Sequence, residues 1–178
     1  MINKMTIDNF IKTSLSDYKS TLKETSLDDR GGQVSNYLCQ DTTTEVFNFD
    51  KYVQNEIGHP FRASPDAIYV ESNKIYFVEF KNQPLKNIKG ENIKNKFNCG
   101  TQILKDLLKD FLPSEVEFYF CIVYKAPQYN LFNSSHIISN VAKFGLEKEN
   151  QNNGNFYSKI ITQNVDFYKK VFKQLKCE

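Results

Sequence analysis

The sequence predicts an α/β fold in which a mixed β-sheet is flanked by helices. Three observations carry that prediction. Residues 74–81 (KIYFVEFK) place Ile75, Phe77, Glu79 and Lys81 at the two-residue spacing of one strand face. Residues 117–125 (EFYFCIVYK) form an almost continuous apolar run, as in a central strand buried on both sides. Between them, Ile93, Phe97, Leu104, Leu107, Leu108 and Phe111 fall on one stripe of a helix over residues 92–112. Strands separated by such a helix belong to an α/β layer arrangement.

In chain order, the first element is a helix over residues 7–22, with Phe10, Ile11, Leu15, Tyr18 and Leu22 at helical spacing and Thr6 as its N-cap. Residues 26–32 are a polar break. Val46, Phe49, Val53 and Ile57 predict a second helix over residues 44–57, ended by Gly58, His59 and Pro60. Residues 60–63 are all that is left for a strand before Asp66. Residues 67–71 and 74–81 then read as two strands joined by a turn at Ser72-Asn73. A basic loop leads into the helix over 92–112, which Pro113 stops. Beyond residue 125 the expectations are a helix over 137–143, an Asn-rich loop over 149–155, a strand over 156–161 and a final helix over 164–176. No break in composition divides the chain, so a single domain spanning residues 1–178 is expected, with its core at about residues 44–125.

Bulk properties narrow the function. A hydrophobic content of 40% marks a chain that buries a core rather than a disordered one. The net charge of +2 is uninformative, but its distribution is not. Residues 1–80 hold eight Lys/Arg and twelve Asp/Glu, whereas residues 81–109 hold seven Lys and two acids. That shift, from −4 to +5, predicts a local basic footprint. Cys39, Cys99, Cys121 and Cys177 include no C-x-x-C pair, which argues against a zinc site and a disulfide framework. The opening MINKMTIDNF is too polar for a signal peptide, and no apolar run reaches membrane length, so an intracellular, cytoplasmic location without membrane partners is expected. Signatures of P-loop ATPases, nucleophile-elbow hydrolases and zinc metalloproteases are missing, and neither His59 nor His136 has a recognisable catalytic setting.

The segment that carries chemistry is Ser64-Pro65-Asp66-Ala67-Ile68-Tyr69-Val70 followed by Ile75-Tyr76-Phe77-Val78-Glu79-Phe80-Lys81. An Asp opens one strand and a Glu-x-Lys closes the next. Glu79 and Lys81 project from the same face, and a hairpin about Ser72-Asn73 would bring Asp66 beside them. Two carboxylates and an ammonium on an apolar sheet are costly unless they are paired or bind a metal. Carboxylate oxygens are hard ligands suited to Mg²⁺ or Mn²⁺.

Pro65-Asp66…Glu79-Phe80-Lys81 resembles the PD-(D/E)XK nuclease superfamily, over roughly residues 44–125. The resemblance implies a restriction-endonuclease-like αβββαβ core, to which this chain would add an N-terminal helix and a C-terminal strand and helix. It implies metal-dependent hydrolysis of nucleic-acid phosphodiester bonds, most simply as a DNA endonuclease, since DNA is the commoner substrate in that superfamily. Asp66, Glu79 and the Phe80 carbonyl would hold Mg²⁺ or Mn²⁺, and Lys81 would be catalytic. Glu45 is a candidate for the additional acidic residue some members carry on the first core helix, although Thr42-x-x-Glu45 is equally a capping box. Some members place an active-site Gln or Lys on the helix after Glu-x-Lys. Lys96, on the flank of the apolar stripe, is the better candidate, whereas Gln102 falls opposite Ile93, Leu104 and Phe111, where it is solvated or touches the substrate backbone with Lys105 and Lys109. Lys86 and Lys89, with Lys96, are placed to hold a phosphate backbone. Without a recognition domain, the protein would cleave with little sequence preference, recognise structure, or act as a homodimer or within a larger assembly. The rival expectation is a catalytically silent nuclease-like module that binds nucleic acid or a partner protein, as an immunity or inhibitor protein would.

Overall fold

The computed structural model describes residues 6–28, 36–58, 63–109, 111, 115–126 and 144–177. Helix α1 (Ile7–Ser14) starts where expected, with Thr6 Oγ1 accepting the Asn9 N–H at 3.3 Å. It stops eight residues short of the predicted end. Thr13 turns its hydroxyl back onto the Asn9 carbonyl at 2.8 Å, a competition with the helix ladder typical of such residues. A 3₁₀ turn (Ser16–Tyr18) follows, and Lys19–Thr21 becomes strand β1, then a one-turn helix α2 (Leu22–Thr25).

The helix predicted over 44–57 is half strand. Glu45–Asn48 form β4, and helix α3 (Phe49–Glu56) begins only after Asn48, whose Oδ1 accepts the Lys51 N–H at 2.9 Å. The cause lies upstream. Asp41, not Thr42, gathers the free backbone donors, its Oδ1 accepting from the N–H groups of Thr43 at 2.7 Å and Thr44 at 3.0 Å. No helix is nucleated there. Val46 and Phe47 instead point to opposite faces of the sheet, each into a different core. Of residues 60–63, where a strand is expected, only Ala63 is described, and it is not in a strand; β4 is the strand that pairs with β5.

Strands β5 (Ala67–Glu71) and β6 (Lys74–Lys81) form the predicted hairpin, with Ser72 at φ 56° in its turn. A 3₁₀ turn (Leu85–Asn87) leads into helix α4 (Gly90–Leu107), and β7 (Glu117–Tyr124) is the predicted central strand. Pro113 and residues 137–143 lie outside the described residues. Helix α5 (Leu146–Asn152) takes up half of the expected Asn-rich loop. Glu147 and Glu149 sit in its first turn, where they suit the helix dipole, and Asn150 brackets Tyr157 by bonding its N–H and its carbonyl. Strand β8 (Lys159–Asn164) starts three residues later than predicted. The last helix, α6 (Val165–Lys170), is shorter than expected, capped by Asn164 on the Phe167 N–H at 3.1 Å.

The six strands are ordered β1-β4-β5-β6-β7-β8, with two further short strands, β2 (Leu27–Asp28) and β3 (Asn36–Tyr37), paired to each other. Pairing is antiparallel from β1 to β6 and parallel from β6 to β8, so the sheet is mixed as predicted. Both edge strands come from outside residues 44–125. Ile75 and Phe77 face one core with α1, α3 and α4, while Tyr76, Val78 and Phe80 face the other with α6 and the C-terminal residues. Glu79 and Lys81 belong to the α4 side. Among the described residues, no helix is long and apolar enough to cross a membrane.

Gly100 sets how closely α4 approaches the sheet's entry point. A Cβ there would stand 2.4 Å from Pro65 Cδ and 3.0 Å from its Cγ. Gly→Ala inside a helix ordinarily stabilises by about 1 kcal/mol. Here the ring is held by the backbone next to Asp66 and cannot move aside alone. Gly100→Ala is expected to destabilise by roughly 1–3 kcal/mol, the usual cost of overpacking, measurable by urea unfolding.

Candidate active site

The site forms where β5 begins, β6 ends and the second turn of α4 passes over them. Its position starts from backbone pairing. The Asp66 N–H donates to the Val78 carbonyl at 3.0 Å, and the Asp66 carbonyl accepts the Phe49 N–H at 3.1 Å. Held on both sides, the residue directs its side chain along the edge of β6, where Asp66 Oδ2 accepts the Phe80 N–H at 2.6 Å. Ser64, two residues earlier, is fixed through its hydroxyl to Asp50 Oδ1 on α3 at 2.6 Å.

Asp66, Glu79, Lys81 and Lys96 converge. Lys96 Nζ, from α4, lies 3.0 Å from Asp66 Oδ1 and 2.9 Å from Glu79 Oε2. Lys81 Nζ lies 2.6 Å from the other Glu79 oxygen, Oε1, a charge contact that falls short of hydrogen-bond alignment. Each of the four carboxylate oxygens thus has a partner, and two negative charges meet two positive ones. The Glu79 side chain is 0% exposed, whereas those of Asp66 and Lys96 are 21% and 22% exposed. One wall of the site opens to solvent.

Burial and the neighbouring Asp66 charge push the Glu79 carboxyl up to about 7, against the pull of Lys96 and Lys81. Burial opposes the charge on Lys96, but Asp66 and Glu79 outweigh it and hold its ammonium above the ordinary lysine range. At neutral pH the firm charge is therefore on Lys96, and Glu79 is poised between its two forms.

Hard donors are present for a divalent ion. Asp66 Oδ1 and Glu79 Oε2 already converge on one cationic nitrogen. The Phe80 carbonyl leaves β6 on the same edge as its N–H, toward Asp66. Among the described residues, no group of three His, Cys, Asp or Glu side chains forms a ligand set. An ion here would rest on two carboxylates, a main-chain carbonyl and water, a set that suits Mg²⁺, which binds through one or two carboxylates and keeps several waters.

The remaining candidates lie elsewhere. Glu45 is on β4, not on a helix; it pairs with Thr21, and its half-exposed carboxylate meets Lys19 at 3.5 Å, so neither the active-site role nor the capping box describes it. Gln102 is exposed and donates to Asp106 at 3.1 Å. It stands about 120° around α4 from Lys96, away from the carboxylates. Lys86 and Lys89 are exposed just past β6. Lys96, expected as the active-site Lys of the helix and as a substrate contact, bridges the two acids. Its spacing carried a signal: Ile93, Lys96, Gly100 and Ile103 recur at three and four residues, and the three others are buried. The Phe80 N–H bond to Asp66 had no such signal, because it depends on register. No family model matches the chain, and neither the curated proteins nor the solved structures contain a match.

Proposed function

We propose that the protein is a metal-dependent nuclease with a restriction-endonuclease-like core. The observation that carries this reading is the convergence of Asp66 and Glu79 on one cation beside Lys81, at the end of a buried sheet. The element order supports it: α1, the antiparallel β4-β5-β6, α4 and parallel β7 occur in αβββαβ order. In that order β1, α2, β2 and β3 lie between α1 and β4, α3 lies between β4 and β5, and α1, expected as an addition to the core, stands in the place of the first core helix. Asp66, Glu79 and the Phe80 carbonyl would hold Mg²⁺ or Mn²⁺. The ion would supply a lowered water pKa and neutralisation of phosphate charge. Lys81, whose side chain is 14% exposed, stands beside Glu79 to orient the attacking water or to stabilise charge on the phosphate. Lys86 and Lys89 would hold the backbone of the nucleic acid, for which DNA is the first choice.

A second reading is favoured by one observation. The four charged groups neutralise each other without any metal, as in a silent module kept for binding. Incubation with linear, circular and single-stranded DNA and with RNA separates the two. The enzyme cleaves at least one substrate with Mg²⁺ or Mn²⁺ and none in EDTA. Intact substrates in every condition, with no Mn²⁺ bound, would leave the silent module.

A further inference from the structure

We propose that Lys96 is a resident counter-cation that occupies the metal position, so that a divalent ion and the Lys96 ammonium compete for the same two carboxylates. The inference rests on the metal site proposed above and adds its regulation. Lys96 Nζ takes one oxygen from each acid, Asp66 Oδ1 at 3.0 Å and Glu79 Oε2 at 2.9 Å. These are the oxygens on which an ion shared by the two would sit. The other pair, Asp66 Oδ2 and Glu79 Oε1, is committed to the Phe80 N–H and to Lys81.

Competition follows from electrostatics. A divalent ion cannot share the gap with an ammonium about 3 Å from both ligands, because like charges at that range repel strongly at low effective dielectric. Lys96 must therefore withdraw when the ion enters, and its long unbranched stem, rooted on α4 and partly exposed, allows this without movement of the helix. In the metal-free protein Lys96 does the opposite service. It keeps the fully buried Glu79 from standing beside Asp66 with Lys81 as its only counter-charge, and it ties α4 to the sheet. Removal of one partner from a buried pair leaves an uncompensated charge, which is strongly destabilising. Lys81 is not equivalent, since it contacts Glu79 alone among the acids of the site.

The experiment compares wild type, Lys96→Met and Lys96→Arg by Mn²⁺ calorimetry and by thermal melting in EDTA and in Mn²⁺. Lys96→Met should melt several degrees lower in EDTA, regain wild-type melting in Mn²⁺, and bind Mn²⁺ about tenfold or more tightly, the effect of removing a close positive charge. Lys96→Arg, which keeps the cation, should retain both the EDTA melting temperature and the weaker Mn²⁺ affinity. Equal or weaker Mn²⁺ binding by Lys96→Met, or no Mn²⁺ binding by any of the three, would overturn the proposal. Cleavage is not the readout. Tight Mn²⁺ binding by Lys96→Met with no nuclease activity in the wild type would sink the nuclease reading and leave this one standing.

Discussion

On the nuclease reading, Asp66→Asn is expected to abolish divalent binding and cleavage together, whereas Lys81→Ala should sharply reduce cleavage alone. The contrast follows from what each side chain touches. Asn keeps the shape of Asp66, and the residue's backbone bonds to Val78 and Phe49 do not involve the side chain, so the strand should stay in register. What disappears is one of the two carboxylates proposed as ligands, and with it one of the two acids that Lys96 bridges. Lys81 contacts the outer oxygen of Glu79 and neither of the oxygens that face Lys96. Its loss leaves the hard-oxygen pair intact and removes a repelling charge, so Mn²⁺ should bind as well as before or more tightly. Turnover should still fall by roughly two to four orders of magnitude, the range for a lost proton-transfer or charge-stabilising group. Mn²⁺ calorimetry and a cleavage assay on each variant test this. Wild-type cleavage by Lys81→Ala would make the Glu-x-Lys match a coincidence.

Divalent affinity should also depend steeply on pH, because a ligand must lose its proton to bind. Burial and Asp66 hold the Glu79 carboxyl at about 7, and the charges that face it are Asp66, Lys81 and Lys96. Between pH 8 and pH 5, protonation of that one group alone should weaken Mn²⁺ binding roughly a hundredfold, tenfold for each unit below its pKa. The metal-free protein should show the opposite trend in stability from this group. Its folded pKa is raised from the ordinary 4.5 to about 7, so over that window the folded state holds more protons than the unfolded one. The contribution of Glu79 to stability is therefore present below 4.5 and lost as pH rises through about 7. Calorimetric titrations at several pH values measure the first effect. A flat profile from pH 8 to pH 5 would show that no ligand of the ion titrates in that window, against a Glu79 ligand whose carboxyl is pushed up to about 7.

The hairpin and the central strand were legible because their patterns are local and unambiguous. Residues 74–81 alternate, 117–125 are apolar throughout, and both strands appear within a residue of expectation. The convergence of Asp66 with Glu79 followed from that hairpin. What misled was periodicity shared between two structures. Val46, Phe49 and Val53 fit a helix stripe, yet Val46 and Phe47 also fit the two faces of a strand, and pairing with β1 and β5 decided between them. Tertiary pairing also converted residues 19–21 from predicted helix to edge strand. Glu45 went with the first of these errors, since its candidacy depended on being helical. Lys96 was the converse case. A charged residue on a buried stripe has to be matched by something, and the match was two acids distant in sequence.

On the nuclease reading, the mutual cancellation of four charges at the centre bears on how a nucleic acid would find the protein. Seen from beyond about 8 Å, the screening distance in physiological salt, a cluster in which two acids offset two lysines, save for part of one charge while Glu79 is half protonated, exerts little net pull on a phosphate. The exposed Lys86 and Lys89 stand outside that cluster, in a stretch from residue 81 to 109 that still carries +3 once Lys81 and Lys96 are matched with Asp66 and Glu79. Encounter and chemistry would then be separate jobs on neighbouring surfaces. Added salt would slow the arrival of substrate while leaving the turnover of bound substrate nearly untouched.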